Sequence, residues 1–244
     1  MKILLAPSET KKHGGCENFF PENLLFPALT STRKTILHTY INILQKNNLE
    51  ELSTIFGLKK EADLNYHNRD IIHELTMKAI ERYTGVAFDY LNYTELNSKQ
   101  KSYIDNNVIL CSNLFGFLRA DDMIPEYRLK QGAAIGDLKP EKLYKEQSHL
   151  LEDYLKDEDI LDLRAGFYDK FYKPTKNYTT LKFIKNGKVV SHWAKAYRGI
   201  VLREVAKANI KSLEDFMKLS IENLSIDEIQ TKKNKTEIIY TIDN

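Results

Sequence analysis

The distribution of apolar and polar positions along the chain predicts short strands interspersed with amphipathic helices. Residues 2–6 form a short apolar run that ends at Pro7, which predicts a buried strand. Further strands are predicted at residues 108–111, at 159–163 and, at a sheet edge, at 237–242. Helical spacing of apolar residues predicts six helices: residues 31–47 with Ser31 as the cap, 49–56 closed by Gly57, 68–83, 143–155, 196–209 and 212–219.

The clearest local signal is the segment TLKFIKNGKVVSHWA, in which two alternating runs flank Asn186-Gly187. Asn-Gly between such runs predicts a two-residue β-hairpin with a type I′ turn, near residues 180–194. One packed face is predicted from four apolar residues of the two runs: Leu181, Phe183, Val189 and Trp193. Mixed strands and helices predict an α/β or α+β fold with a mixed sheet, as a single domain over residues 1–244.

Composition narrows the class of protein. The 244 residues are 42% hydrophobic and 29% charged, which is ordinary for a globular protein. No stretch approaches the roughly 18 apolar residues of a membrane span, and the start lacks a signal-peptide pattern. Cys16 and Cys111 are far apart, so reduced thiols in the cytoplasm are the simplest interpretation. We expect a cytoplasmic monomer with no membrane partner.

Positive charge is concentrated in one part of the chain. Residues 160–212 contain 12 Lys and Arg against 3 Asp and Glu, a net charge of +9, while the whole chain carries +2. Aromatic residues are interleaved with these cations, a combination that suits phosphates and bases. The alternative is that the lysines form a solvated face while the aromatic rings point into the core.

The chain lacks several common sequence motifs for nucleotide binding, nucleophilic catalysis and metal binding. The chain has no glycine-rich nucleotide-binding motif and no nucleophile elbow. His13 and Cys16 could supply two metal ligands, but a structural zinc site needs about four, so we expect no metal and no cofactor. Ser8, Thr10 and Lys11 follow the first strand, where α/β proteins commonly bind ligands.

Two cations occupy an unfavourable position. Lys195 and Arg198 fall at the start of the predicted helix 196–209, where the helix dipole disfavours positive charge and free N–H groups attract anions. A bound phosphate would relieve this repulsion. The alternative is that both cations pair with internal carboxylates such as Asp121 or Asp122.

Two further segments carry candidate chemistry. In IERYTGVAFDYL, Thr84-Gly85 lies between two helical patterns, as in a hairpin that aims N–H groups at a DNA phosphate. Taken alone, Gly85 is better explained as a helix C-cap. In LFGFLRADDMIPEYRLKQG, Arg119 and Arg128 bracket Asp122, and guanidinium groups suit phosphates. Asp122 is the one weak catalytic candidate; the alternative is an internal pair between Arg119 and Asp122.

The chain resembles the YaaA family of peroxide-stress proteins. Four blocks carry the resemblance, in the family's order: ILLAPSET, YTGVAFDYL, LFGFLRADDMIPEYRL and HWAKAYRG. It implies a cytosolic α/β protein with a positively charged cleft and a helix-hairpin-helix-like element. It further implies a protein that binds DNA without strong sequence preference, limits oxidative damage to DNA and lowers unincorporated iron.

The resemblance also implies which residues form the site. The matching positions are Arg119, Asp122, Tyr127 and Arg128 in the arginine block, Lys195, Arg198 and Gly199 in the basic block, and Thr84 and Gly85 in the hairpin. The chain departs from the family at Glu9 and Ala196, where Lys is frequent, at Ala120, where Pro is frequent, and in lacking a Trp after Leu143-Tyr144.

Three functions from different classes remain open at this point. The first is a DNA-binding stress protein without catalysis, which the resemblance favours. The second is an enzyme that acts on nucleic acid or nucleotides, with paired arginines holding phosphate. The third is an iron-handling protein that uses His13, Cys16 and carboxylates. We predict that Arg119, Arg128, Lys195 and Arg198 share one open, positively charged cleft.

Overall fold

The fold was described from a computed structural model that covers residues 1–243, with Ser191 described by its backbone alone. The predicted domain of residues 1–244 extends one residue beyond this range. The described residues contain nine α-helices: α1 (Thr30–Lys46), α2 (Leu49–Phe56), α3 (Glu61–His67), α4 (Ala79–Arg82), α5 (Val86–Leu91), α6 (Ser98–Asn107), α7 (Pro140–Leu155), α8 (Ser191–Lys207) and α9 (Leu213–Met217). Short 3₁₀ turns lie at Pro21–Asn23, Pro27–Leu29, Tyr93–Glu95 and Gly166–Lys170.

Ten strands form one large sheet and one small sheet within the described residues. They are β1 (Lys2–Leu5), β2 (Met77–Lys78), β3 (Val108–Ser112), β4 (Gly116–Arg119), β5 (Met123–Ile124), β6 (Ile160–Asp162), β7 (Tyr178–Lys185), β8 (Lys188–Val189), β9 (Leu224–Lys232) and β10 (Lys235–Ile242). The eight-stranded sheet has the order β4-β3-β1-β6-β7-β10-β9, with β8 paired to β7. Strands β3, β1, β6, β7 and β10 are parallel neighbours, and β4, β8 and β9 are antiparallel additions. β2 and β5 form a separate antiparallel pair.

The central strands β3, β1 and β6 are buried on both faces of the large sheet, which explains why they read as short apolar runs. Ile3 and Leu5 pack in the larger core cluster, together with residues of α1, α2, α6 and α8. Leu4 points the other way, into a second cluster that includes Tyr144 and Leu151 of α7. This three-layer arrangement confirms the predicted α/β class with a mixed sheet. No helix among residues 1–243 combines the length and apolar character that crossing a lipid bilayer requires.

Most of the strongly patterned elements are confirmed. Strands β1, β3 and β6 and helices α1, α2, α7 and α9 lie at their predicted places within a few residues. Gly57 closes α2 with φ 66°, as a C-cap glycine does. Asn186 and Gly187 have φ 51° and 72°, which confirms the type I′ hairpin between β7 and β8.

The predicted helix over residues 68–83 is wrong. Asp70 accepts the N–H of Ile72 in a local turn, and the N–H of Thr76 bonds to the carbonyl of Glu17. Met77–Lys78 then pairs with β5, so only the one-turn helix α4 remains. Strand pairing with distant segments therefore overrides the local helical pattern, because tertiary contacts outweigh weak propensities.

Three smaller predictions are also wrong. Ser31 does not cap α1, which begins at Thr30 without a side-chain cap. Strand β10 is not at the sheet edge, because β9 covers it. The second arm of the hairpin ends at Val189, which is 66% exposed, and Trp193 lies on α8 with 41% of its surface exposed, so neither joins the packed face of Leu181 and Phe183.

Candidate functional site

A cleft of about 630 Å³ opens at the carboxyl ends of the central parallel strands. Its walls come from residues 6–10 after β1, Asn113 after β3 and residues 163–168 after β6. The chain leaves β1 toward β3 on one side and leaves β6 toward β7 on the other. The cleft thus lies where the strand order reverses, which is the usual ligand site of an open α/β sheet.

Three cations line this cleft. Arg128 comes from the segment after β5, whereas Lys195 and Arg198 are three residues apart on α8 and share one helix face. Lys195 is exposed, Arg198 is half-buried and Arg128 is buried. The cleft therefore carries positive charge at both its rim and its interior.

The cations differ in what compensates their charge. Arg128 donates from Nη2 to Glu9 Oε2 at 2.9 Å and from Nε to the carbonyl of Phe56. Arg198 donates from Nη1 to the carbonyl of Ala194, one turn earlier in its own helix, while its Nε is buried without a partner among residues 1–243. Burial lowers the pKa of Arg198, and Asp162 offsets this only in part. Arg198 is therefore a half-buried charge that lacks an ion-pair partner within the described chain.

Arg164, which lies near Arg198, differs from it in having an ion-pair partner. Its guanidinium donates to both carboxylate oxygens of Asp162, at 2.8 and 2.7 Å, and both side chains are buried. Burial opposes the charge of Arg164, but Asp162 outweighs burial and the pKa of Arg164 is raised. Because Asp162 is fully engaged in this pair, it is not free to neutralise Arg198.

The position of Lys195 and Arg198 corrects the dipole argument. Helix α8 begins at Ser191, five residues before the predicted start, so both cations lie beyond the first turn. Repulsion from the helix end is confined to that turn, and it does not explain these residues. Neither of them pairs with Asp121 or Asp122, which contact Arg119 instead.

Arg119 does not belong to the cleft, so the prediction that four cations share one cleft is wrong. Its strand β4 runs antiparallel to β3 and places Arg119 beside Ile109, at the amino end of β3. Asp122 is 2% exposed and accepts the backbone N–H groups of Leu25 and Arg119, both at 2.9 Å. It lies outside the cleft, and its contacts hold a turn together.

Lys11 and Tyr127 lie behind the cleft wall. Lys11 donates from Nζ to the carbonyls of Ser8 and Glu9, and its ammonium lies 3.9 Å from the ring centroid of Tyr127. Burial, and then Arg128, lower the pKa of Lys11. The hydroxyl of Tyr127 is within hydrogen-bond distance of Tyr83 Oη and Ser112 Oγ. Both residues brace the loop after β1 and do not line the cavity.

Thr84 and Gly85 line the cleft between the short helices α4 and α5. Gly85 has φ 107°, and the hydroxyls of Ser8 and Thr10 are 3.0 Å apart beside it. Gly199 has another role, since a Cβ added there would lie 2.0 Å from the carbonyl oxygen of Ala87. It permits α8 to pack directly on α5, which sets the position of Lys195 and Arg198.

His13 and Cys16 do not converge on one point. The Sγ of Cys16 lies 4.0 Å from the carbonyl of Thr76, whereas His13 Nδ1 lies 2.9 Å from Glu126 Oε2. Three possible ligands do cluster, namely His13, Glu74 and Glu126. Arg69 Nη1 lies among them, 3.1 Å from His13 Nδ1 and 3.5 Å from a carboxylate oxygen of each glutamate. A guanidinium in that position occupies the space that a cation would need.

Comparison with known proteins decides the family. Residues 1–230 match the family described as "Peroxide stress protein YaaA". The chain belongs to this family. It is 45% identical over 244 residues to an uncharacterized protein of Campylobacter jejuni, with 99% of each chain covered. It is 34% identical over 238 residues to a UPF0246 protein of Corynebacterium glutamicum, covering 90% of this chain and 91% of the relative.

Three of the four departures from the common YaaA pattern, those at Glu9, Ala120 and Ala196, have different structural consequences. Glu9 places a carboxylate in the cleft, where it accepts from Arg128 and from the N–H of Gln131. Ala120 donates its N–H to the carbonyl of Val108, a bond that proline cannot form. Ala196 is fully buried and adds no group to the cleft. The change at Glu9 therefore brings a negative charge into the site.

The sequence did not single out Asn113 and Gln131, which line the cleft, and it pointed to Phe167 and Tyr168 only as aromatic residues of the basic segment. One signal was available for Asn113, because it is a polar residue directly after β3, which ends at Ser112. The carboxyl end of each parallel strand is the expected place for such residues. Phe167 carried no comparable signal, since an aromatic residue in a basic segment reads equally well as core.

Proposed function

We propose that this member of the YaaA family binds DNA through the cleft as part of the response to peroxide stress. In this proposal Lys195 and Arg198 contact phosphate, and recognition has no strong sequence preference because phosphate contacts carry no sequence information. By limiting access of iron-derived oxidants to DNA, such binding would protect the genome. The two free cysteines fit a cytosolic location.

One observation carries the proposal: the half-buried guanidinium of Arg198 has no ion-pair partner among residues 1–243. A buried charge without a counter-charge is costly, and an external anion removes that cost. Exposed Lys195 on the same helix face adds a second contact for a phosphate. Arg128 contributes less, because Glu9 already compensates it.

The salt dependence of duplex binding tests this proposal. Each lost phosphate contact should flatten the slope of log K against log salt by about 0.9. Lys195→Ala is therefore expected to reduce the slope by roughly one unit and to weaken binding to all sequences alike. Lys156→Ala is the matched control, because Lys156 is exposed and precedes β6 at the amino edge of the sheet. Equal slopes in both variants would contradict a contact at Lys195.

A second function, catalysis on nucleic acid or nucleotides, is favoured by the carboxylate of Glu9 inside the same cleft. Asp122 is unsuited to this role because it lies elsewhere. Incubation of end-labelled DNA with Mg²⁺ and the wild-type protein tests for a product, with Glu9→Gln as the comparison. A product formed by the wild type and absent with Glu9→Gln would favour an enzyme; identical DNA in both reactions favours binding alone.

A further inference from the structure

We propose that the cleft binds one unpaired nucleotide of a DNA strand, with phosphate at Lys195 and Arg198 and the base against Phe167 and Asn113. This inference rests on the proposed function and specifies its ligand. It distinguishes the cleft from a surface that follows only the outside of a duplex.

The depth of the polar groups supports this ligand. Asn113 and Arg128 are 5% and 8% exposed, so they lie at the bottom and wall of the cleft and not at its rim. A duplex presents phosphates on its outside and keeps its bases stacked within. A duplex that lay across the opening of the cleft would contact exposed Lys195 but would not reach Asn113 and Arg128. An unpaired nucleotide can enter with both its phosphate and its base.

The dimensions and walls of the cleft also suit a nucleotide. Its volume of about 630 Å³ falls within the range of about 300–1,000 Å³ that is typical of small-ligand sites. The aromatic residue Phe167 lines the cleft, and 40% of its surface is exposed. The ring is held by edge contacts to Tyr168 and Phe171 and by Lys170 Nζ at 3.9 Å from its centroid. A fixed, exposed ring beside cations is the feature on which unpaired bases stack.

Asn113 adds a group that can contact the edge of a base. Its Oδ1 is buried and has no hydrogen-bond partner among residues 1–243. Asn113 lines this cleft and also a second cavity beside α1 and α7, and because buried polar atoms are almost always paired, its unpaired oxygen points to a ligand. An amide offers both a donor and an acceptor, which matches the polar edge of any base. Recognition of this kind is tolerant of sequence, as stacking is.

Three labelled DNAs test the inference by fluorescence anisotropy at one salt concentration: a perfect duplex, the same duplex with a one-nucleotide bulge, and the same bulge carrying an abasic residue. The intact bulge should bind about 5- to 150-fold more tightly than either of the others, which corresponds to about 1–3 kcal/mol for one stacked base. Phe167→Leu should reduce this preference to below about threefold, and Asn113→Ala should reduce it in the same direction. Phe20→Leu is the matched control, because Phe20 is 51% exposed and lies outside the cleft.

Several results would overturn the inference. They are equal binding of the intact and abasic bulges, a preference that persists in both Phe167→Leu and Asn113→Ala, or displacement of the bulged DNA by deoxyadenosine monophosphate at equal concentration, which would indicate a free nucleotide. These outcomes differ from failure of the proposed function, in which no DNA would bind in a salt-dependent manner.

Discussion

Two neighbouring arginines that differ in their partners allow binding and stability to be separated. Arg164 forms two charge-assisted hydrogen bonds to buried Asp162, whereas the one partner of Arg198 among residues 1–243 is a carbonyl of its own helix. Methionine replaces either side chain at similar length and without charge. We expect Arg164→Met to destabilise the fold and Arg198→Met to weaken DNA binding.

The magnitudes follow from what each change leaves behind. Arg164→Met leaves the carboxylate of Asp162 buried and unpaired, which costs roughly 3–5 kcal/mol. For a chain of this size, 1 kcal/mol shifts the melting temperature by about 2–4 °C, so the expected loss is about 6–20 °C. Arg198→Met leaves no unpaired carboxylate and removes a charge that burial already disfavours. Its melting temperature should change by no more than about 3 °C, and could rise.

The assay combines thermal unfolding with a salt titration of duplex binding for both variants. Arg198→Met should flatten the salt slope by about 0.9 at a nearly unchanged melting temperature. Arg164→Met should show the reverse, with an unchanged slope at temperatures where it is folded. A large loss of melting temperature in Arg198→Met, together with wild-type DNA affinity, would refute the assignment of Arg198 to phosphate binding.

Two further predictions concern the charge of the cleft and metal binding. Glu9→Gln removes the carboxylate that compensates Arg128, so duplex affinity should rise about fivefold at low salt, for about 1 kcal/mol of relieved repulsion, and less at high salt; unchanged affinity at low salt would show that DNA does not approach Glu9. Purified protein should contain no stoichiometric zinc or iron, because Arg69 lies among His13, Glu74 and Glu126. Elemental analysis checks this. Metal that is found in the wild type and lost in His13→Ala or Cys16→Ala would contradict the prediction.

The sequence by itself determined the elements whose signal is local. Three of the parallel strands, β1, β3 and β6, are short apolar runs buried on both faces, so their positions could be read directly. Asn186-Gly187 fixed the hairpin because few residues tolerate positive φ at both central positions of the turn. The basic segment of residues 160–212 drew attention to Lys195 and Arg198, and the resemblance to the YaaA family predicted Lys195, Arg198 and Arg128 as site residues.

Tertiary structure alone decided which of the candidate residues meet. Arg119 and Arg128 are nine positions apart in sequence, yet β4 carries Arg119 to the amino end of the sheet while Arg128 enters the cleft at the carboxyl end. The backbone of Thr76 pairs with Glu17, which is distant in the chain, and so the helix that local spacing predicted over residues 68–83 does not form. Whether the positive charge of an arginine is compensated also depends on residues distant in the chain, as Glu9 compensates Arg128. Local sequence patterns reflect interactions between residues that are close in the chain. Strand order, burial and ion pairing depend instead on contacts between distant residues, which sequence spacing does not encode.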